Sequence, residues 1–253
     1  MNRHTTVKRL SGNEDIPLPE QMFWGIEEKG SERWLTVGAD FPMYTLNSSI
    51  WGGGYGYRTR IMNRQVPKSY RADDPAAEMA EFLQGIQADP GLTAGMLTSA
   101  NISDLGCATM QMPGKNESPL QVTAWVTAGL SNKARAGLEL PEEALYPGTI
   151  NMIIVVDAVL SEAAMVNAVI TATEAKAAVL QDMDIRLRES GLNATGTSTD
   201  AIVIAATQRG ESYMYAGTAT RLGHMIGRTV YDAAFYSTSR YLAYMAKHFP
   251  EKL

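Results

Sequence analysis

The period of apolar and polar positions changes along the chain. In the first half, short β-rich segments such as residues 33–40 and 43–50 are separated by turn residues, which is typical of strands. In the second half, apolar runs are followed by longer segments with helical spacing. This order predicts a mixed α/β fold, with an α+β arrangement as the alternative. We expect a central mixed β-sheet covered by helices.

The clearest unit spans residues 148–182. Residues 150–156 form a near-continuous apolar run, which predicts a central strand buried on both faces. Ser161 is predicted to cap the helix that follows. The stripe of this helix that we expect to be buried consists of Val166, Val169, Ile170, Thr173, Ala177 and Leu180. Glu174 lies beside that stripe, where a carboxylate is usually a partly exposed ion-pair partner and a catalytic role is the alternative.

Two further helices are predicted. The first begins near Pro75, after two aspartates, and places apolar residues at helical spacing from Met79 to Ile86. The second follows a small polar turn at residues 217–220, and one of its faces carries Ile226, Val230, Ala233, Ser237, Tyr241 and Tyr244. Because glycine weakens a helix, Gly223 and Gly227 predict a close packing contact at its start.

Small polar residues flank several of the predicted strands. Thr98 and Thr127 lie near the ends of two strands, and the stretch "ATGTSTD" at 194–200 precedes another. Loops at strand ends gather into one crevice in α/β folds, so these clusters are expected to line one pocket. Their hydroxyls and amides suit a large, amide-decorated ligand better than a polyphosphate, since the glycine-rich phosphate motifs are absent. For the glycine-rich segment at 51–57, a hairpin and a ligand-binding loop both remain open.

Composition narrows the classes of partner. A net charge of -5 argues against binding to nucleic acid or an anionic membrane, and no apolar run reaches the length of about 18 residues that a membrane span needs. The single cysteine, Cys107, permits no intrachain disulfide and is interpreted as a small buried residue, which fits a reducing cytoplasm. The three histidines lie far apart, so no protein-bound metal is expected. We predict one domain over residues 1–253, with residues 1–20 possible as a flexible segment.

Several blocks of the sequence resemble the signature blocks of one family. In chain order they include "SSIWGGGYGYRTRIMNRQVPKSY", "TAGLSNKARAG", "GTINMIIVV", "ATGTSTDAIVIA" and "YAGTATRLGHMIGRTVYDA". Together they cover roughly residues 45–235 and are similar to the adenosylcobinamide amidohydrolase family. The ordered combination is more specific than any single block.

This resemblance implies hydrolysis of the amide that joins the aminopropanol arm to the corrin ring of adenosylcobinamide. The expected products are adenosylcobyric acid and 1-amino-2-propanol, in corrinoid salvage for cobalamin biosynthesis. The corrinoid is then the small-molecule partner, and its cobalt arrives inside the substrate, so no protein-bound cofactor is expected. A homo-oligomer is possible.

Candidate site residues follow from the resemblance together with the polar clusters. Glu174 or Asp200 is hypothesised to activate water or a threonine hydroxyl, and Lys176 or Asn132 to polarise the carbonyl or protonate the leaving nitrogen. An aromatic ring of Trp51, Tyr55 or Tyr57 is expected to cover an apolar face of the ligand. The predicted substrate-binding residues are Ser49, Trp51, Gly53, Gly54, Asn63, Thr98, Thr127, Asn151, Thr197, Thr199 and Thr218.

Two positions depart from the family pattern. Ala219 stands where a histidine is expected, and His224, one helical turn further on, is either its replacement or a helix-surface residue. Ser198 stands where glycine is expected. Ala219 and the lack of a recognisable nucleophilic triad motivate a second hypothesis, a non-catalytic corrinoid-binding module. A third is a nucleotide-binding transferase that uses Asp200 around a phosphate and Mg²⁺, against which the absence of a basic phosphate-binding loop counts.

Overall fold

The computed structural model describes residues 16–114, 119–139 and 148–250. Its strands are β1 (Met22–Lys29), β2 (Glu32–Asn47), β3 (Gly54–Gln65), β4 (Thr93–Thr98), β5 (Gly106–Met112), β6 (Leu120–Ala128), β7 (Lys133–Ala134), β8 (Ile150–Asp157), β9 (Val159–Leu160), β10 (Gly196–Thr197), β11 (Ala201–Ala206) and β12 (Ser212–Tyr213). Its helices are α1 (Pro75–Gly85), α2 (Glu162–Asp182) and α3 (Arg221–His248).

The main sheet has eight strands and mixed pairing. Its order is β4-β3-β2-β11-β8-β6-β5, with β1 paired to β2 outside this path. The β3-β4 and β11-β8 pairs are parallel, and the other pairs within this sheet are antiparallel. Helices α2 and α3 pack on one face of this sheet, where the largest core cluster lies. The prediction of one mixed α/β domain with a central sheet covered by helices is therefore confirmed.

The N-terminal strands differ in detail from the prediction. The segments at 33–40 and 43–50 were expected as two strands, but β2 runs through both with a register shift between Gly38 and Met43. Turn residues such as Pro42 are accommodated there because a bulge interrupts the regular ladder. The chain from Ile16 onward packs against the sheet, since Ile16 is buried in the core. Residues 1–15, which carry most of the expected flexible segment, lie outside the described residues.

The sheet curves strongly, and this curvature creates the site. Two strands, β2 and β11, separate β3 from β8 in the sheet order. Nevertheless the Asn63 side chain of β3 bonds directly to Asn151 of β8 and to Thr127 of β6. The concave face is filled by a second core cluster that includes Leu35, Ile61, Trp125, Ile153 and Val203. One end of this concave face remains open between the strand ends.

Helix α2 is oriented differently from the prediction. Ser161 does cap it, accepting a hydrogen bond from the Ala164 N–H at 3.1 Å. The expected stripe is wrong at Val166, Ile170 and Thr173, which are exposed, and correct at Leu180, which is buried. The buried residues are instead Ala164, Met165, Ala168, Thr171, Ala172, Lys176, Val179 and Leu180. The alanines let the helix approach the sheet closely, and no hydropathy pattern signals that preference.

Helix α2 is also long and apolar enough to cross a membrane by length and composition alone. It packs against β11 and α3 in this fold, and core helices commonly meet the same criterion. The length and composition of α2 are therefore only weak evidence that it spans a membrane.

Helices α1 and α3 match their predictions more closely. Asp74 caps α1 directly before Pro75, and Met79, Phe82 and Leu83 are buried. On α3 the expected face is buried from Ile226 to Ser237, whereas Tyr244 near its end is 43% exposed. A Cβ on Gly223 would collide with the Gly217 carbonyl oxygen, which confirms the predicted close contact there, whereas a Cβ on Gly227 would meet only Thr171 at an ordinary 3.7 Å.

Candidate functional site

A cavity of about 390 Å³ opens at the end of the curved sheet. It lies where β4 ends and where β8 and β11 begin, so three strand termini meet around it. Its polar lining includes Ser48, Tyr70, Arg71, Thr98, Ser99, Thr149, Thr199 and Asp200. Met96, Val66 and Ile50 supply apolar surface. The prediction that polar strand ends converge on one pocket is confirmed for β4, β8 and β11.

The carboxylate in the cavity wall, Asp200, forms a largely buried ion pair with Lys176. Lys176 Nζ lies 2.5 Å from Asp200 Oδ2, and the two side chains are only 8% and 16% exposed. Asp200 also accepts hydrogen bonds from the Ile150 N–H at 3.0 Å, from the Thr197 N–H at 3.1 Å and from the Thr197 hydroxyl. The ammonium and these donors together compensate the desolvated carboxylate. The turn at 197–200 is therefore folded back on its own aspartate.

Gly196 makes this arrangement possible. A Cβ at this position would overlap Asp200 Oδ2 and would lie 2.7 Å from Lys176 Nζ. Gly196 pairs with Ala134 in the short β10-β7 ladder, which fixes the backbone in front of the ion pair. The glycine of the stretch at 194–200 is thus required for close approach of the backbone to a salt bridge.

Asn132 orients the hydroxyl groups of the same turn. Its Nδ2 donates to Ser198 Oγ at 2.8 Å and lies 3.2 Å from Thr199 Oγ1, and Thr199 in turn donates to the Gly148 carbonyl. Asn132 Oδ1 is buried and finds no hydrogen-bond donor among the described residues. The Ser198 backbone does not adopt a positive φ, so this turn does not require glycine. The serine hydroxyl adds a hydrogen bond, which it accepts from Asn132.

A layer of buried amides supports the cavity from below. Asn63 Nδ2 donates to Thr127 Oγ1 at 2.9 Å, and Asn151 Nδ2 donates to Asn63 Oδ1 and to the Leu97 carbonyl, both at 2.8 Å. Each of the three polar side chains is 1% exposed. Thr149 links this layer to the cavity, since its hydroxyl lies 2.8 Å from Asn151 Oδ1 and 2.7 Å from the Thr199 carbonyl oxygen. Asn63, Thr127 and Asn151 therefore bond one another and do not line the cavity.

The glycine-rich segment is a β-hairpin connection between β2 and β3. Gly52 and Gly54 adopt φ of 66° and 84°, conformations that glycine accommodates without strain. Gly53 lies between them, and Ser49 is buried behind the turn with its N–H bonded to Asn47 Oδ1. Ser48 and Ile50 line the cavity, so the hairpin interpretation is confirmed without excluding ligand contact.

The aromatic residues of this segment lie away from the cavity. Trp51 donates from Nε1 to the Pro90 carbonyl at 2.9 Å and packs against the α1 cluster. Tyr55 stacks on Tyr44 and Tyr57 is tilted against it, beside the first residue of α2 on the helix-covered side of the sheet. These rings are therefore not part of the cavity lining.

Three other candidates also lie outside the cavity. Thr218 precedes α3 near Arg221, whose Nε is 3.3 Å from Met112 Sδ at the far end of the sheet. Glu174 is exposed. It precedes Lys176 by two positions in α2, so the two side chains lie on opposite sides of the helix. His224 is exposed on α3, which confirms the helix-surface interpretation. Ala219 is exposed at the same far end, so a histidine there would not reach this cavity within one chain.

Sequence reasoning missed Tyr70 and Arg71. Burial raises the pKa of the Tyr70 phenol to about 12, and the Glu78 carboxylate contributes in the same direction. The phenol therefore keeps its proton and can donate it in a hydrogen bond. Arg71 is exposed at the rim and donates from Nη1 to the Tyr70 carbonyl at 2.8 Å. Tyr70 is the last residue of the first signature block and Arg71 follows it, but the polar segment before α1 has no periodicity that singles either residue out.

Comparison with known proteins identifies the family. Residues 22–246 match the family model described as adenosylcobinamide amidohydrolase. The adenosylcobinamide amidohydrolase of Methanosarcina mazei is 32% identical over 208 residues, covering 78% of this chain and 89% of that protein. The protein of the same name from Halobacterium salinarum is 30% identical over 197 residues, covering 76% of this chain and 73% of that protein.

A structural comparison adds little to this result. A crystal structure of a Pyrococcus horikoshii OT3 protein aligns with 91% of this chain and 83% of its own, at 12% identity and a TM-score of 0.44, a likeness too weak to carry an argument. The family model spans both the ion pair and the cavity lining and extends beyond the 45–235 expected from the signature blocks. The chain therefore belongs to the adenosylcobinamide amidohydrolase family.

Proposed function

We propose that this protein hydrolyses the amide between the aminopropanol arm and the corrin ring of adenosylcobinamide. The products are adenosylcobyric acid and 1-amino-2-propanol, and the reaction serves cytoplasmic salvage of corrinoids for cobalamin biosynthesis. The family match and the names of the two relatives support this activity. Cobalt is part of the substrate in this proposal.

The size of the cavity supports a particular mode of binding. At about 390 Å³ it lies at the small end of the roughly 300–1,000 Å³ range of small-molecule pockets. A corrin macrocycle is a broad, rigid ring, whereas the aminopropanol arm is a slender chain that ends in a hydroxyl. We therefore propose that only the arm and its amide enter, while the ring rests on the rim.

The single observation that carries the mechanism is the buried Lys176–Asp200 pair in the cavity wall. Asp200 is the only carboxylate among the described residues that line the cavity. In our proposal it accepts a proton from a water held beside the Thr199 hydroxyl, and the water oxygen attacks the amide carbon. Lys176 keeps the Asp200 carboxylate in place, and Asn132 orients the threonine.

Charge then develops on the amide oxygen and must be stabilised. The Tyr70 phenol and the Arg71 guanidinium line the cavity and are the proposed donors to that oxygen. The proton taken by Asp200 passes to the leaving nitrogen as the carbon–nitrogen bond breaks. The acid product and the amine product together contain the atoms of the substrate and one water. Glu174 has no part in this proposal because it lies on the other side of α2.

The test is product formation by a purified protein and two aspartate variants. Adenosylcobinamide is incubated in the dark, and mass spectrometry detects adenosylcobyric acid and aminopropanol. Asp200→Asn is expected to lower the rate at least about 100-fold, the size of effect that general-base catalysis supplies. Asp157→Asn is the matched control, because Asp157 accepts a Thr207 hydroxyl at 2.8 Å at the other end of β8. If the protein binds adenosylcobinamide tightly but forms no product, the proposed hydrolysis is contradicted and the corrinoid-binding module is supported.

A further inference from the structure

A second cavity of about 240 Å³ adjoins the first. It lies between the end of β3, the turn after β4, the end of β6 and the C-terminal half of α3. Val66 and Ser99 line both cavities, so the two are separated by a wall only one or two side chains thick. The proposed hydrolysis uses the first cavity alone. The second therefore needs its own explanation.

The second cavity combines aromatic rings with amide and hydroxyl groups. Tyr241 and Tyr244 contribute rings from α3, and Gln65, Asn101 and Ser131 contribute polar groups. The Lys68 ammonium lies 5.8 Å from the Tyr244 ring centroid, and both residues line the cavity. His248 stacks on the Tyr244 ring at a centroid distance of 4.4 Å, so a ligand would stack on the side of the ring over which the flexible Lys68 side chain lies. Aromatic faces stack on nucleobases, and amides and hydroxyls bond their edges and the ribose.

The backbone that forms the second cavity is held before any ligand binds. Gln65 Oε1 accepts a hydrogen bond from the Ile102 N–H at 2.9 Å, and Thr98 Oγ1 accepts one from the Ala100 N–H at 3.0 Å. On the opposite wall the Ala128 N–H donates to Ser237 Oγ of α3 at 2.9 Å. Because the walls of this pocket are already ordered, binding a ligand costs less conformational entropy.

We propose that this second cavity binds the adenosyl group of the corrinoid, with the adenine stacked on Tyr244. The inference rests on the proposed function, since it assigns a second part of the same substrate. The peripheral arm and the axial adenosyl group leave one corrin ring in different directions. Two cavities that share the Val66 and Ser99 wall can receive these two groups from a single ring seated above that wall.

The experiment compares adenosylcobinamide with cyanocobinamide, which lacks the nucleoside. Steady-state hydrolysis of both is measured for the wild type and for Tyr244→Ala, Tyr244→Phe and Tyr215→Ala. Tyr215 is a matched control because it is 68% exposed and lies outside both linings. We expect Tyr244→Ala to raise KM for adenosylcobinamide by about tenfold, a typical effect of losing one base stack, with little change in kcat. Its KM for cyanocobinamide and both constants of Tyr244→Phe should stay within about twofold of wild type.

Each contrary result has a separate meaning. Equal use of the two substrates by the wild type, or an equal loss on both in Tyr244→Ala, would overturn the adenosyl site while leaving hydrolysis established. If the wild type hydrolyses neither compound, the proposed function fails, and calorimetric binding of the same two compounds decides the inference. A tenfold weaker binding of adenosylcobinamide alone to Tyr244→Ala would then support it. Equal binding, or none, would overturn it.

Discussion

The two faces of helix α2 depart at several positions from the usual distribution of side chains. The face against the sheet carries alanines and, at its C-terminal half, the charged Lys176, which is 7% exposed. The opposite face carries Val166 and Ile170, which are 46% and 50% exposed, together with Glu174. Two large aliphatic residues therefore lie half in solvent while a cation lies inside, beside the buried Met165, Val179 and Leu180.

The difference shows that shape and partners decide burial here. Small residues let α2 approach the sheet and α3, where Gly227 lies opposite Thr171 with room for ordinary contact. At Lys176 the approach brings the ammonium to Asp200, which also accepts hydrogen bonds from the Ile150 N–H and from the N–H and hydroxyl of Thr197. A buried charge persists where a partner and further donors compensate its lost hydration. The cavity wall depends on this compensation.

The largest expected effect comes from removing the inward charge. Lys176→Met keeps a similar length but leaves Asp200 without its cation, and breaking a buried pair is expected to cost about 3 kcal/mol of unfolding free energy. Hydrolysis by the remaining folded protein should fall at least about 100-fold, because the proposed base loses its position and charge balance. Denaturant unfolding and the product assay measure the two effects.

A double variant separates the structural role of the pair from its chemical role. Adding Asp200→Asn to Lys176→Met removes the unpaired carboxylate, so stability should recover by at least about 1 kcal/mol while activity stays lost. If Lys176→Met alone were as stable as the wild type, the ion pair would not be what holds this wall.

A smaller loss of stability and activity is expected from a substitution at Gly196, whose backbone packs against the Lys176–Asp200 pair. Gly196→Ala introduces a Cβ that overlaps Asp200 and comes within 2.7 Å of Lys176 Nζ. Overpacking of this kind is expected to cost about 2 kcal/mol and to reduce turnover by shifting the carboxylate. Gly25→Ala is the control, because a Cβ on Gly25 of β1 meets nothing within 4 Å. Equal stability of the two variants would show that the turn relaxes freely.

Much of the fold and part of the site were readable from the sequence. The strand at 150–157, its capped helix and the Pro75 helix follow local rules that the structure obeys. Polar residues beside strand ends identified the turn at 197–200, Thr98 and Asn132, all of which lie in or against the cavity wall.

The remainder depends on packing across distant parts of the chain. Curvature of the sheet, which draws Asn63 toward Asn151 and leaves it out of the cavity lining, has no local sequence signature. The same is true of the α2 orientation, because its alanine face and its aliphatic face both follow helical spacing. Tyr70 and Arg71 reach the cavity through a loop without periodicity, and pattern analysis cannot place such residues.

A slight effect is expected on the outward face of α2. Ile170→Ser should change the free energy of unfolding by less than about 0.5 kcal/mol, because half of the side chain already contacts solvent. Met165→Ala on the inward face is the contrast, with an expected loss of about 3 kcal/mol for a fully buried side chain. A loss above about 1 kcal/mol for Ile170→Ser would mean that another surface covers this face. Light scattering of both proteins then tests whether that surface is a second copy.

The smallest expected effect is also the one that decides between the two carboxylates of the original hypothesis. Glu174→Gln removes a charge from the exposed face, on the opposite side of the helix from Lys176. The free energy of unfolding should therefore stay within about 0.5 kcal/mol of the wild-type value, and the turnover rate within about twofold. The variant is assayed beside Asp200→Asn, whose large loss provides the reference. A comparable loss in Glu174→Gln would mean that the outward face of α2 takes part in hydrolysis. The reacting amide would then lie outside the cavity that Thr199 and Asp200 line, and the Lys176–Asp200 ion pair would have a purely structural role.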